Sequence, residues 1–291
     1  ETGYVPSKSA RNMVMQRSFT VGVVIPDGFN NFQRQLFSVI ERQLDSFGYH
    51  TFFFFVKMDS LSEKKCLDRL KTEKVDGVIM LHEIKSSEFY DYIKDARIPI
   101  ISTLDNYNRI PTIKLDDKQA AFDAVNHLIQ LGHQKIHMIS GCNYSYGAHR
   151  LLGYYRALDE AGIRRDEKRI VDVPQYSAEA GMYAMRELLL RSRDFSAVFV
   201  SSDELALGAI RVLLDEGIRI PQDISVIGFD DIDISNYVFP RLTTIRQPIT
   251  EIGEQAATYL HQFITGQNNP GLNIVLPHKL IIRESTCAIT P

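Results

Sequence analysis

Short apolar runs alternate with helical repeats along almost the whole chain. TVGVVIP (20–26), HTFFFFV (50–56), DGVIMLH (76–82) and IPIISTL (98–104) place apolar residues at successive positions, which predicts strands buried on both faces. Between the first two runs, Leu36, Ile40 and Leu44 recur every fourth residue and Gly48 follows. That spacing predicts an amphipathic helix stopped by a glycine. Ser60 with Glu63 three positions on predicts a capping box at the next helix. The pattern then restarts, with TIKLD, KIHMISG, RIVDV, SAVFVSS and ISVIGFD as strands and AAFDAVNHLIQLG and ELALGAIRVLLDEG among the helices between them.

Strands and helices alternating at this length predict an α/β fold of two doubly wound parallel-sheet lobes, the first over residues 19–115 and the second over 116–246. A further helix (TEIGEQAATYLHQFITG) and strand (LPHKLIIRES) follow them. Open parallel sheets bind ligands beyond the carboxyl ends of their strands. Asp105 follows one predicted strand, Ser202 and Asp203 another, and Asp230, Asp231 and Asp233 a third. Asp230 comes first after its strand and is expected to face a ligand. Asp231 and Asp233 are expected to cap and solvate the next turn.

Composition narrows the function more by exclusion than by assignment. The 291 residues are 44% apolar and 24% charged, which suits a globular chain with a large core, and no apolar run is long enough to cross a bilayer as a helix. A net charge of −3 makes the whole chain no electrostatic trap for nucleic acid, although Lys8, Arg11 and Arg17 give its first residues a local basic excess. Cys66, Cys142 and Cys287 are widely spaced, as expected of buried thiols in a reducing compartment. The aspartates after the third strand lack calcium-loop spacing and have no His or Cys cluster nearby, so no metal is expected. There is no G-x-S-x-G elbow, no phosphate-binding loop signature and no dinucleotide fingerprint, and His133, just past a helix-ending glycine, reads as a cap. No enzyme activity and no cofactor are expected.

Four segments in order resemble the lactose/galactose repressor (LacI/GalR) family: GYVPSKSARNM, TVGVVIPDGFNNF, HLIQLGHQKIHMISG with HRLLGYYRAL, and SSDELALGAIRVLLDEGIRIPQDISVIGFDDIDISNYVFPRLTTIRQP. LPHKLIIREST closes the match. The resemblance implies a cytoplasmic, homodimeric transcription regulator, a repressor by family habit. Its type I periplasmic-binding-protein-like core would take a sugar or sugar phosphate between two lobes and couple it to operator DNA. It further implies a hinge segment at 1–18, an N-terminal lobe of 19–115 plus 247–276, and a C-terminal lobe of 116–246 plus 277–291. Crossovers would fall near 115–116, 246–247 and 276–277. The DNA-binding headpiece would precede Glu1, in keeping with a chain that does not begin with Met.

Carried over by residue, the resemblance implies effector contacts at Phe32, Asp105, Arg150, Tyr176, Ser202 and Asp230. Tyr4, Pro6, Ala10, Arg11 and Met13 would form the DNA hinge, with Met13 as an apolar wedge. Two departures from the family pattern, Ser202 where Asn is common and FNNFQ in the first turn, bear on which effector fits. The alternatives are an exported sugar-binding protein of the same fold and a regulator controlled by a phosphorylated carrier protein. The hinge-like segment argues against the former and the Asp105, Arg150 and Asp230 set against the latter.

Overall fold

The computed structural model describes residues 17–28, 30–57, 59–104, 110–141, 144–267 and 271–289. The hinge residues Tyr4, Pro6, Ala10, Arg11 and Met13, the candidate contact Asp105 and Cys142 lie outside the described residues. Along the chain come β1 (Thr20–Pro26), α1 (Asn31–Ser46), β2 (His50–Val56), α2 (Ser60–Glu73), β3 (Gly77–Met80), α3 (Ser87–Asp95), β4 (Ile100–Ser102) and β5 (Thr112–Leu115). Next are α4 (Asp117–Gln130), β6 (Ile136–Ser140), α5 (Ser145–Glu160), β7 (Ile170–Asp172), α6 (Ala178–Arg191), β8 (Ala197–Val200), α7 (Asp203–Asp215), β9 (Ser225–Asp230) and β10 (Thr243–Arg246). Last are α8 (Ile249–Ile264), β11 (Asn273–Leu276) and β12 (Lys279–Ile281).

These elements form two compact α/β units. One holds 33–114 and 249–274 with the described residues before 30, and the other holds 30–32, 115–248 and 275–289. The first has a six-stranded sheet in the order β11-β5-β4-β3-β1-β2, parallel from β2 through β5. The second has the order β12-β10-β9-β8-β6-β7, parallel except for the antiparallel edge strand β12. Each sheet is a doubly wound α/β layer.

The strand predictions rest on burial from both faces. Val21, Val23, Val24 and Ile25 of β1 are fully buried, as are Val226, Ile227 and Phe229 of β9. In the first unit Leu36, Ile40 and Leu44 of α1 are buried as their spacing requires, and Gly48 turns the chain at φ 82°. In the second unit one apolar cluster joins α6 and α7 to the sheet and another joins α4 and α5 to it, so both faces are covered.

The capping box expected at Ser60 does not form. Asp59 is the N-cap of α2, its carboxylate accepting from the Ser62 amide at 2.7 Å, while Glu63 turns away to accept from the amides of Lys85 and Ser86. A carboxylate one residue earlier is the stronger acceptor for the helix's free N–H groups.

Candidate functional site

In the second unit, titratable side chains gather where β6, β8, β9 and β10 end. Asp230 closes β9 opposite Arg246 of β10 and is 3% exposed. Its Oδ1 accepts from Gln247 Nε2 at 2.7 Å and lies 3.6 Å from Arg150 Nη1. Burial pushes the Asp230 carboxyl well above the ordinary carboxylate range, and Arg150 opposes that push. The backbone is unusual here, because Asp230 and Asp231 take φ of 119° and 57° in succession. Such conformations cost about 1–3 kcal/mol per non-glycine residue and persist only where the surroundings impose them.

Arg150 comes from α5, whose inner face packs on the sheet. Its Nε donates to Asp117 Oδ1 at 2.8 Å and its Nη1 to the Ser201 carbonyl at 2.6 Å. The guanidinium carbon lies 3.6 Å from the centroid of the Phe229 ring and 5.2 Å from that of Tyr146. Burial works against the charge on Arg150, but Asp117 and then Asp230 more than offset it and hold the cation. The arginine is thus fixed on three sides, and its fork is oriented before any ligand arrives.

Beside it three tyrosines pack together. Tyr144 and Tyr146 stack at 5.1 Å, and the Tyr176 ring lies 5.7 and 5.5 Å from them. The Tyr176 hydroxyl donates to the Gly141 carbonyl at 3.3 Å. A Cβ at Gly141 would fall 2.4 Å from the Tyr176 ring, so this ring can cover the end of β6 only if residue 141 is glycine. Burial raises the Tyr146 and Tyr176 hydroxyls above their ordinary range, so both are neutral donors at physiological pH.

The remaining acids divide by role. Asp231 is not solvated as expected, because its carboxylate is clamped between Arg246 and Arg283 and is only 4% exposed. Asp233 is exposed and begins a 3-10 turn, Asp233–Asn236, whose N-cap has no side-chain bond. His133 does not cap its helix through the ring, which instead meets Ser196 Oγ and the Cys287 carbonyl.

A model for a periplasmic binding protein-like domain matches residues 125–286. A LacI family transcriptional regulator from Enterococcus faecium, solved with bound ribose, is 31% identical with a TM-score of 0.83, covering 93% of this chain and 100% of that one. Catabolite control protein A of Priestia megaterium is 33% identical over 288 residues, which is 98% of this chain and 86% of that protein. The chain belongs to the LacI family of transcription regulators. Another LacI-type relative, the HTH-type transcriptional repressor CytR of Escherichia coli (strain K12), is 34% identical over 99% of this chain and 85% of its own length.

Within this LacI-family chain, Arg150, Tyr176, Ser202 and Asp230 fall at the same sheet end. Ser202 is fully buried and is the N-cap of α7, its hydroxyl accepting from the Leu205 amide at 3.2 Å, so its own proton is left to donate. Phe32 lies in the first turn of α1, partly buried. Sequence reasoning missed Gln247, Asp117, Tyr144, Tyr146 and the structural weight of Asp203. Gln247 follows the strand TTIR at the sheet end where Asp230 closes SVIGFD, and the same strand-end rule would have found it. Among the described residues no group of three or more His, Cys, Asp or Glu could hold a metal ion.

Proposed function

We propose that this chain, the core of a ligand-responsive LacI-type regulator, binds a small polyhydroxylated effector, a sugar or sugar phosphate, through the strand-end cluster of its second lobe. In this reading Asp230 accepts from ligand hydroxyls and Arg150 and Ser202 donate to ligand oxygens. Tyr176 offers an aromatic face to the C–H surface of the ring. Asp105 and Phe32 add further contacts, as the family pattern implies. The observation that carries the reading is Asp230 itself: a buried carboxylate on a strained turn, beside an arginine already held in place. A buried charge is costly without hydrogen-bond partners, and such arrangements concentrate at functional sites. The ribose held by the Enterococcus faecium regulator supports a sugar as the effector class.

The same reading makes the chain a non-enzyme without a cofactor that works in the cytoplasm as a homodimer. Operator DNA would be engaged through a headpiece and the hinge residues Tyr4, Pro6, Ala10, Arg11 and Met13, and the lobes would be 19–115 plus 247–276 and 116–246 plus 277–291. No helix among the described residues is long and apolar enough to cross a membrane. Tyr237 and Phe239, 83% and 84% exposed, are surface that a second copy would cover. Sedimentation at micromolar concentration should therefore give twice the chain mass of 33.2 kDa, and a monomer alone would refute the dimer.

The effector assignment is tested by a thermal-shift screen of mono- and disaccharides and their phosphates. A ligand at 100 times its Kd stabilises the folded state by about 2.7 kcal/mol, a shift of several degrees. At least one sugar should give that shift. A flat response across the panel would refute the assignment.

A further inference from the structure

Asp203 has no part in the contacts proposed above, yet it is fully buried and has more hydrogen-bond partners than any other acid near the site. It begins α7, immediately after the cap Ser202. Its Oδ1 accepts from Thr244 Oγ1 of β10 at 2.6 Å. Its Oδ2 accepts from Ser235 Oγ at 2.6 Å and from the Ile232 amide at 3.1 Å. Ile232 and Ser235 lie just beyond Asp230 and Asp231, in the connection that carries both positive-φ residues. A Cβ at Gly228 would fall 2.2 Å from Oδ1, so β9 accommodates this carboxylate only because residue 228 is glycine.

We infer that Asp203 is the positioning residue of the site: from beneath, it ties α7, β10 and the turn after β9 together and so fixes the direction in which Asp230 points. The inference builds on the effector reading, but its physical content is that one carboxylate imposes the strained turn. Three donors from two elements converge on it, and together they oppose relaxation of two residues in an unfavourable backbone region. Asp231, clamped by Arg246 and Arg283, pins the far side of the same turn. Asp203 acts on a ligand only through Asp230.

Asparagine can replace it without losing the geometry. Its amide oxygen would take the Oδ2 place facing Ile232 and Ser235, and its NH2 would donate to the Thr244 hydroxyl, which rotates to accept. Alanine offers no acceptor at all.

Hydrogen exchange on the ligand-free chain decides the matter, so its outcome is independent of whether any sugar binds. Asp203→Ala should speed exchange of the backbone amides of residues 231–237 by roughly fivefold to a hundredfold, the loss expected when buried donors lose their acceptor. Exchange in β6 and α5 should stay at the wild-type rate, and Asp203→Asn should restore protection to within about threefold. Should Asp203→Ala not fold, Ser235→Ala removes one donor from the turn itself and should loosen the same residues by roughly tenfold. Unchanged exchange at 231–237 would overturn the inference. So would uniform loosening of the whole second unit, or an asparagine variant as loose as the alanine one.

Discussion

At the scale of single residues, the site is built from groups whose ordinary ionisation has been shifted by burial. Asp203 shows this most simply. Burial pushes its carboxyl up to about 7, and the bonds from Ser235, Thr244 and Ile232 offset only part of that rise, while Asp231 adds to it. In the unfolded chain the group titrates near 3.8. A carboxyl raised on folding stabilises the fold fully below its unfolded pKa, and that contribution is lost as pH rises through the folded value. Asp203→Asn, which has no charge to bury, should therefore gain on the wild type as pH rises. Between pH 6 and pH 8 the difference in unfolding free energy should widen by about 1–1.5 kcal/mol, measured by denaturant titration at each pH. A difference that stays constant with pH would mean that Asp203 is ionised throughout that range. The sequence flagged Asp203 by its place after AVFVS, but its partners lie some thirty to forty residues away, and only the fold brings them to it.

At the scale of elements, what was legible in the sequence was whatever local periodicity controls. The limits of β1 and β2 are those of the runs TVGVVIP and HTFFFFV, but only β1 is buried on both faces as expected; β2 is an edge strand in which Phe54 and Val56 are buried while Phe55 is 50% exposed. The helix over Leu36, Ile40 and Leu44 was equally plain. The start of α2 was not, since Asp59, Ser60 and Ser62 are all capping residue types and the choice among them depends on where Glu63 goes. Glu63 is drawn off by two amides of the segment after β3, a long-range preference that no local rule contains. The same limit applies to the turn after β9. Three aspartates in four residues looked alike as sequence, but Asp230 is buried beside Gln247, Asp231 is clamped by two arginines and Asp233 is exposed. What separates them is the positive φ at the first two positions, a tertiary property that favours glycine and gives no composition signal when aspartate adopts it.

At the scale of the whole molecule, a LacI-type regulator needs its effector to bind one arrangement of the protein better than another, because a ligand with equal affinity for both shifts nothing. A buried, pre-oriented pair of Arg150 and Asp230 suits that requirement, since its binding energy depends on geometry held by α5 and by the turn after β9. The direct measurement is calorimetric titration of the sugar found by thermal shift, made in parallel on the wild type, Asp230→Ala and Asp233→Ala. Losing a buried acceptor leaves its ligand donor unpaired and costs roughly 1–3 kcal/mol, so Asp230→Ala should weaken binding by roughly fivefold to a hundredfold or more. Asp233→Ala, at an exposed residue of the same loop, should change affinity by less than about twofold. Equal losses in the two variants, or a loss at Asp233 alone, would contradict the account.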